Sequence, residues 1–259
     1  MLKPLVMTKP PLHFSIVTIT FNNQHGLIKT AESIKRQSYL DYEWVIIDGG
    51  SNAIIPEDIP SDKVMLNSES DTGIYDAMNK GIDLANGDYI IFMNAGDQFA
   101  DENTLSIISQ SNVDFIYGDS LEEKGNNTHY KTARNANAIA LGMFTHHQAM
   151  VYKASLIEEL RYNETYKIAA DYDFTYRFLN KATTTKYIKK PLCIFESGGV
   201  SQTNVRHGRV EQFKIRQTMK YFILKNIFIF SGQTMVYRFR QACPKLYWFL
   251  KRGSQADNI

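Results

Sequence analysis

Four aspartates stand where this chain of 259 residues passes from apolar runs into short polar turns: Asp48 in VIIDGGSN, Asp71 in SESDTG, Asp97 in MNAGD and Asp171 in AADYDF. A carboxylate at the end of a buried-type strand can accept hydrogen bonds from ribose hydroxyls or a base N–H. Gly49 and Gly50, next to Asp48, let a ligand approach the backbone. Asp48 reads equally well as a turn-stabilising residue. Asp97 closes the loop Asn94-Ala95-Gly96-Asp97, where it could hold Mg2+ or Mn2+ against a diphosphate or cap a helix starting near Glu102. Asp171 could take a proton from an attacking hydroxyl, a role that typically contributes about 10²–10⁴-fold in rate. It could also serve as an N-terminal acid on a helix dipole.

Other polar residues carry weaker signals. Asp71 precedes a helix and would point back toward the strand ends. On that helix Asp76, Asn79, Lys80 and Asp83 form the polar side with Tyr75 beside them, and an ordinary solvated face accounts for Lys80 and Asp83. His146-His147-Gln148 has no third metal ligand at suitable spacing. The pair suits contact with sugar hydroxyls or a phosphate, or else a partly buried, satisfied pair. His207 and Arg209 are further candidates for holding a diphosphate.

The elements that must position these groups alternate. Phe14–Thr20 is a β-branched run of the buried parallel type, followed by helical spacing at Leu27, Ile28, Ala31 and Ile34. Strands are predicted at Glu43–Asp48, Val64–Leu66 and Asp88–Met93. A helix bearing Ile74, Met78, Ile82 and Ala85 is predicted to be capped by Asp71 or Thr72 and stopped at Asn86-Gly87. The pattern predicts a doubly wound α/β sheet with ligands outside the strand carboxyl ends. Those ends carry Thr20-Phe21-Asn22, Asp48-Gly49-Gly50 and Asn94–Asp97. Further strands are expected at Phe115–Gly118 and Gln148–Tyr152, with a hairpin or mobile loop at 119–137 between them. A helix is expected at Asp171–Leu179. Beyond Asn204 the chain reads as amphipathic helix broken near Ser231-Gly232 and Pro244.

Composition narrows the classes. A net charge of +2 gives no overall field for nucleic acid. Cys193 and Cys243 form no disulfide framework or C-x-x-C site. The first eleven residues do not read as a signal peptide, and no apolar run reaches membrane-spanning length. The expectation is a cytoplasmic protein. The tail mixes cations such as Lys214, Lys220, Lys225, Arg238 and Arg240 with Phe213, Phe222, Phe228, Phe230, Trp248 and Phe249, a membrane-surface signature. The alternative is a helix packed on the domain or on a homodimer partner.

Taken in order, FSIVTITFNN (14–23), SIKRQSY (33–39), EWVIIDGGSN (43–52), SESDTGIYDAMNKGIDLANGDYIIFMNAGD (68–97), HHQAMVYK (146–153) and AADYDFTYRF (169–178) resemble family 2 of the inverting glycosyltransferases. The form is especially like members that build O-antigen, capsule or colanic-acid repeat units in bacteria. The resemblance implies a GT-A fold, Rossmann-like with a mostly parallel central sheet flanked by helices. A catalytic domain would cover 1–204, with a nucleotide-sugar half (14–118) and an acceptor half (119–204), followed by a helical extension at 205–259.

By position, the resemblance gives Thr20, Phe21, Asn22, Asp48, Gly49, Asp71, Tyr75, Asn79, Asn94 and Ala95 to the nucleotide-sugar donor, Asp97 to Mg2+ or Mn2+, and Asp171 to the catalytic base. It implies a UDP-sugar donor, a saccharide or lipid-diphosphate-linked acceptor and contact with the cytoplasmic face of the inner membrane. The chain departs from the pattern at Asn94 and Gly96, where acids are usual, at Ala170, where Glu is common, and at Ala53, where Asp often stands. Rival readings are a sugar nucleotidyltransferase, which would show a Gly-rich basic loop where this chain has FNNQHG, and a dinucleotide oxidoreductase, which would show G-x-G-x-x-G. A third is a non-catalytic carbohydrate-binding scaffold.

Overall fold

The computed structural model describes residues 12–56, 59–125, 127–199, 203–244 and 246. They fall into two compact units, Met1–Thr203 and Asn204–Ile259.

In the first unit, β1 (Phe14–Thr20) pairs in parallel with β2 (Tyr42–Asp48) and β4 (Tyr89–Phe92), and β2 pairs with β3 (Val64–Ser68). β1 is buried along its whole length because both faces are covered. Val17, Val45, Ile47, Phe92, Met78 and Ile82 form the core on one side, while Ile16, Ile46, Leu27, Ile34 and Leu105 form it on the other. Between the strands run α1 (Gln24–Lys35), capped by the Asn23 side chain, and α2 (Ile74–Leu84).

The sheet continues through β8 (Met150–Lys153), β6 (Phe115–Lys124), β9 (Thr185–Glu196) and β5 (Gln98–Phe99) in the order β3-β2-β1-β4-β8-β6-β9-β5, with β7 (Asn127–Lys131) on β6. β8 is antiparallel to both its neighbours, so the regular parallel sheet ends at β4. α3 (Thr104–Ser109) and α4 (Ala170–Leu179) complete the unit.

Three expectations need correction. β6 does not end at Gly118 but runs on to Lys124 through a register shift, because the buried Asp119 carboxylate accepts the Tyr130 and Tyr187 hydroxyls and the Ala133 amide. Part of the 119–137 stretch is therefore the β6–β7 hairpin. α2 is capped by neither Asp71 nor Thr72. Its N-cap is Gly73 at φ +143°, and the Asp76 carboxylate reaches back to the Thr72 amide instead.

In the second unit, α5 (Val205–Thr218) and α6 (Ile223–Ala242) are separated at Lys220, not at Ser231-Gly232, which lie inside α6. Lys220 takes φ +56°. The Lys220 and Tyr221 amides bond the Gln217 and Arg216 carbonyls, the closed helix terminus more often made with glycine. A lone glycine inside a helix costs only about 1 kcal/mol and does not break it. Among the described residues no helix is long and apolar enough to cross a membrane. Tyr247, Trp248, Phe249 and the eleven N-terminal residues lie outside the described set.

Gly81 lets α2 lie directly on β1, since a side chain there would collide with Val17 Cγ1. Gly81→Ala is expected to destabilise the protein by roughly 1–3 kcal/mol through overpacking, despite a gain of up to about 1 kcal/mol in helix propensity. Urea unfolding measures the net loss.

Candidate active site

Register puts the strand ends in one row. Thr20 pairs with Asp48 and Asp48 with Ser68, the Gly49 amide bonds the Thr20 carbonyl, and the Ala95 amide bonds the Ile19 carbonyl. Phe21, Gly49, Asp71 and the Asn94–Asp97 loop thereby share the carboxyl edge of the parallel sheet. Phe21 is 65% exposed there, and Asn22 beside it takes φ +51°. A side chain at position 49 would begin 2.7 Å from Asp71 Oδ2 and 3.0 Å from Phe21 Cδ2, so only glycine lets these groups close together.

Asp48 is fully buried, and its own turn uses its carboxylate: the Ser51 amide and hydroxyl, the Ala53 amide (3.1 Å) and the Ser68 hydroxyl (2.7 Å) all donate to it. Four donors meet about four lone-pair sites. Burial pushes this carboxyl up, but the hydrogen bonds outweigh it and hold it below its ordinary value. Of the two sequence readings, the turn role is realised.

The Asn94–Asp97 loop is tied to α1. The Thr30 hydroxyl contacts the Asn94 and Asp97 carbonyls at 3.1 and 2.7 Å and receives the Gly96 amide at 3.0 Å. Asn23 donates to the Ala95 carbonyl. Asn94 Oδ1 is buried without a hydrogen-bond partner, an acceptor that a ligand hydroxyl could satisfy.

Asp97 caps no helix. It is 5% exposed, and its oxygens receive Gln148 Nε2 at 2.7 Å and the Glu196 amide at 2.9 Å. Burial raises its pKa to about 7 against the pull of those bonds. A divalent ion takes its charge from carboxylates aimed at it. Here the loop offers one carboxylate, buried and bonded through both oxygens, with an amide at 94 and no side chain at 96. Among the described residues no group of three His, Cys, Asp or Glu could hold a metal. The expectation of Mg2+ or Mn2+ on Asp97 does not fit these residues.

Other assignments shift inward. Tyr75 is buried and stacked on Tyr162, with centroids 5.6 Å apart, so its ring packs into the core. Asn79 exchanges bonds with the Tyr162 backbone (2.7 and 3.1 Å) and clamps α2 to that segment. His147 stacks on Phe92 at 4.9 Å and meets the Tyr162 hydroxyl at 2.8 Å; burial pushes its pKa down to about 3, leaving a neutral core ring and no acceptor contact. His146 stacks on Phe195, and its Nε2 lies 3.0 Å from Lys131 Nζ. His207 pairs with Glu211 and Arg209 lies over the Tyr237 ring, both within the second unit.

Asp171 is in the first turn of α4, and its Oδ1 accepts the Tyr172 amide at 2.8 Å. Its charge is felt by Tyr152 and Tyr162. A continuous run therefore leads from Asp97 toward Asp171: Asp97 to Gln148, its neighbour His147 to the Tyr162 hydroxyl, and Tyr162 to the ring of Phe174 (4.3 Å) on Asp171's helix. Asp173 is buried on Arg177, in a structural role. A cavity of about 180 Å³ opens at the start of α2 between Thr72, Tyr75, Glu164 and Lys167. A larger one, about 600 Å³, lies at the amino edge of β4 around Asp88, Lys153 and Arg161, away from the strand ends that bind ligands in such sheets. Gln148, Glu196 and Lys29 were not singled out by sequence; of these only Gln148 carried a signal, as the residue following the histidine pair.

The description "Glycosyl transferase family 2" matches residues 15–188. A PGL/p-HBAD biosynthesis glycosyltransferase of Mycobacterium bovis is 32% identical over 208 residues, covering 74% of this chain and 80% of the relative. The fold resembles Staphylococcus aureus TarS 1–349 in complex with UDP-GlcNAc (TM-score 0.63, 15% identity, 86% of this chain and 72% of that one). It also resembles the mannosyltransferase PcManGT of Pyrobaculum calidifontis in complex with GDP-Man and Mn2+ (TM-score 0.58, 14% identity, 95% and 80%).

Asp97 sets a pH signature. An acid whose pKa is raised on folding holds a proton in the native state that the unfolded chain has lost, so its contribution to stability falls as pH rises from about 4 to about 7 and is constant above. Asp97→Asn removes this. The difference in unfolding free energy, wild type minus variant, is expected to decline across that window in denaturant titrations at stepped pH.

Proposed function

The chain belongs to glycosyl transferase family 2 and is a glycosyltransferase, and from that premise we propose that it moves a sugar from a UDP-sugar to a lipid-linked saccharide with inversion at the anomeric carbon. The observation that carries this reading is the level row of strand ends, which gathers Phe21, Gly49, Asp71 and Asn94 on one edge. The nucleoside lies over Phe21 and Gly49, and Asn94 Oδ1 takes a donor hydroxyl. Asp48 supports this floor through its turn, and reaches the base only by releasing one of its serine hydroxyls. The UDP and UDP-GlcNAc complexes of TarS support a uridine nucleotide.

Asp171 accepts the proton of the acceptor hydroxyl. That oxygen attacks the anomeric carbon opposite the diphosphate, the carbon–diphosphate bond breaks, and the nucleoside diphosphate leaves. An α-linked donor gives a β-linkage. A divalent ion on the diphosphate would supply charge to the leaving group; the residues here give no such ion a seat on Asp97. Asp171→Asn is expected to lower transfer about 10²–10⁴-fold while donor affinity and melting temperature stay unchanged. Nucleotide-release kinetics and calorimetry measure the two, and equal transfer by the variant would refute the assignment.

The acceptor class is inferred from the second unit. Residues 204–259 carry 11 Lys and Arg against 2 Asp and Glu, net +9, whereas residues 1–203 carry 18 against 25, net −7. On α6, Leu224, Phe228 and Met235 recur at helical spacing and are 64%, 80% and 70% exposed. A cationic helix with bare apolar residues suits an anionic lipid surface at the cytoplasmic face of a membrane. Such a surface would also present a lipid-linked acceptor, including the O-antigen or capsule intermediates that the motifs resemble. The full chain is expected to float with anionic vesicles and not with zwitterionic ones. Leu224→Glu/Phe228→Glu should remain in the pellet fraction; equal flotation would end the membrane reading.

A further inference from the structure

The Asn94–Asp97 loop lacks the usual carboxylates, and a different part of the chain has filled the space. Gly96 sits at φ +108°, and a side chain there would run into Glu196 Oε2, so a β9 carboxylate occupies the room of a carboxylate at 96. Glu196 and Glu123 are paired neighbours in the parallel β6–β9 register. Between them lies the ammonium of Lys29, at 3.3 and 3.1 Å. Burial lowers the Lys29 pKa, but the two glutamates outweigh it and hold it above its ordinary value, so the group stays charged. Lys29 comes from α1, whose cap residue Asn23 bonds the Ala95 carbonyl and whose Gly26 carbonyl receives the Gly96 amide. With no acid in its first turn, the positive end of that helix abuts the same loop.

We propose that the donor site carries its cation within the chain: the Lys29 ammonium, clamped by Glu123 and Glu196, serves the nucleoside diphosphate in place of a divalent ion. This rests on the reading that the donor's diphosphate lies over the Asn94–Asp97 loop. Two of the three ammonium hydrogens go to the glutamates and the third is available to a phosphate oxygen, since the side chain is 27% exposed. Lys29 then meets the charge that grows on the leaving diphosphate as the glycosidic bond breaks. Glu123 and Glu196 are positioning residues.

The test is calorimetric binding of UDP and GDP to the full chain, in chelator and in Mn2+, with melting temperatures recorded. Wild type is expected to bind one of them in chelator within about threefold of its affinity in Mn2+. Lys29→Met should bind about 10- to 100-fold more weakly in chelator, as the loss of a charged hydrogen bond implies. Because Lys29→Met leaves two carboxylates facing each other, it should also acquire Mn2+ binding, visible by electron paramagnetic resonance, and recover part of its nucleotide affinity with that ion. Were the lysine purely structural, the two glutamates could still take up Mn2+, but the ion would change nucleotide affinity no more than it does in wild type.

A wild type that requires Mn2+ for binding overturns the resident cation while leaving the donor reading intact. So does a folded Lys29→Met with wild-type affinity in chelator. No binding of either nucleotide under either condition overturns the donor reading and the cation with it. If Lys29→Met does not fold, the wild-type comparison decides, with Glu196→Gln expected to weaken binding in chelator.

Discussion

One buried hydroxyl holds the Asn94–Asp97 loop in shape at the carboxyl edge of the parallel strands. Thr30 is fully enclosed, and its oxygen meets both ends of the Asn94–Asp97 loop and the amide between them. The loop needs that support because it turns through Gly96 in the left-handed region and has only one carboxylate to organise it. Only with the loop so fixed does Asp97 point at Gln148 and at the Glu196 amide, linking the parallel half of the sheet to the mixed half. A buried polar group of this kind either satisfies all its neighbours or costs several of them their partners at once.

Legibility in the sequence followed locality. Phe14–Thr20 could be read to the residue, because a strand buried on both faces is a continuous apolar run and its partners lie a short crossover away. The polar residues at its end, and at the ends of β2 and β4, were legible for the same reason. In the mixed half β6, β8 and α4 were legible as elements, but their extents and long-range partners were not. β6 continues past Gly118 because Asp119 finds partners at 130, 133 and 187, which no local pattern announces. Gln148 meets Asp97 across 51 residues and Lys29 meets Glu196 across 167.

Misassigned residues have a common physical cause. Tyr75, Asn79 and His147 are types that serve ligands and cores equally well, and here each is turned inward onto Tyr162. Tyr162 stacks on Tyr75 on one side and on Phe174 on the other, while its backbone is gripped by Asn79. Aromatic stacking and paired amide bonds hold α2 and α4 to one intervening segment, and the start of α4 is where Asp171 stands. The Asp171 carboxylate owes its place to a packing device built mostly of residues that look functional.

That device is also electrically silent. Burial drives His146 and His147 down to about 3 and lifts Tyr152 and Tyr162 above the ordinary tyrosine value, so none of them changes charge across neutral pH. These two histidines and two tyrosines therefore take no part in proton traffic near neutrality. An inflection in a rate profile there would not come from His146 or His147, the imidazoles to which it would be credited by default.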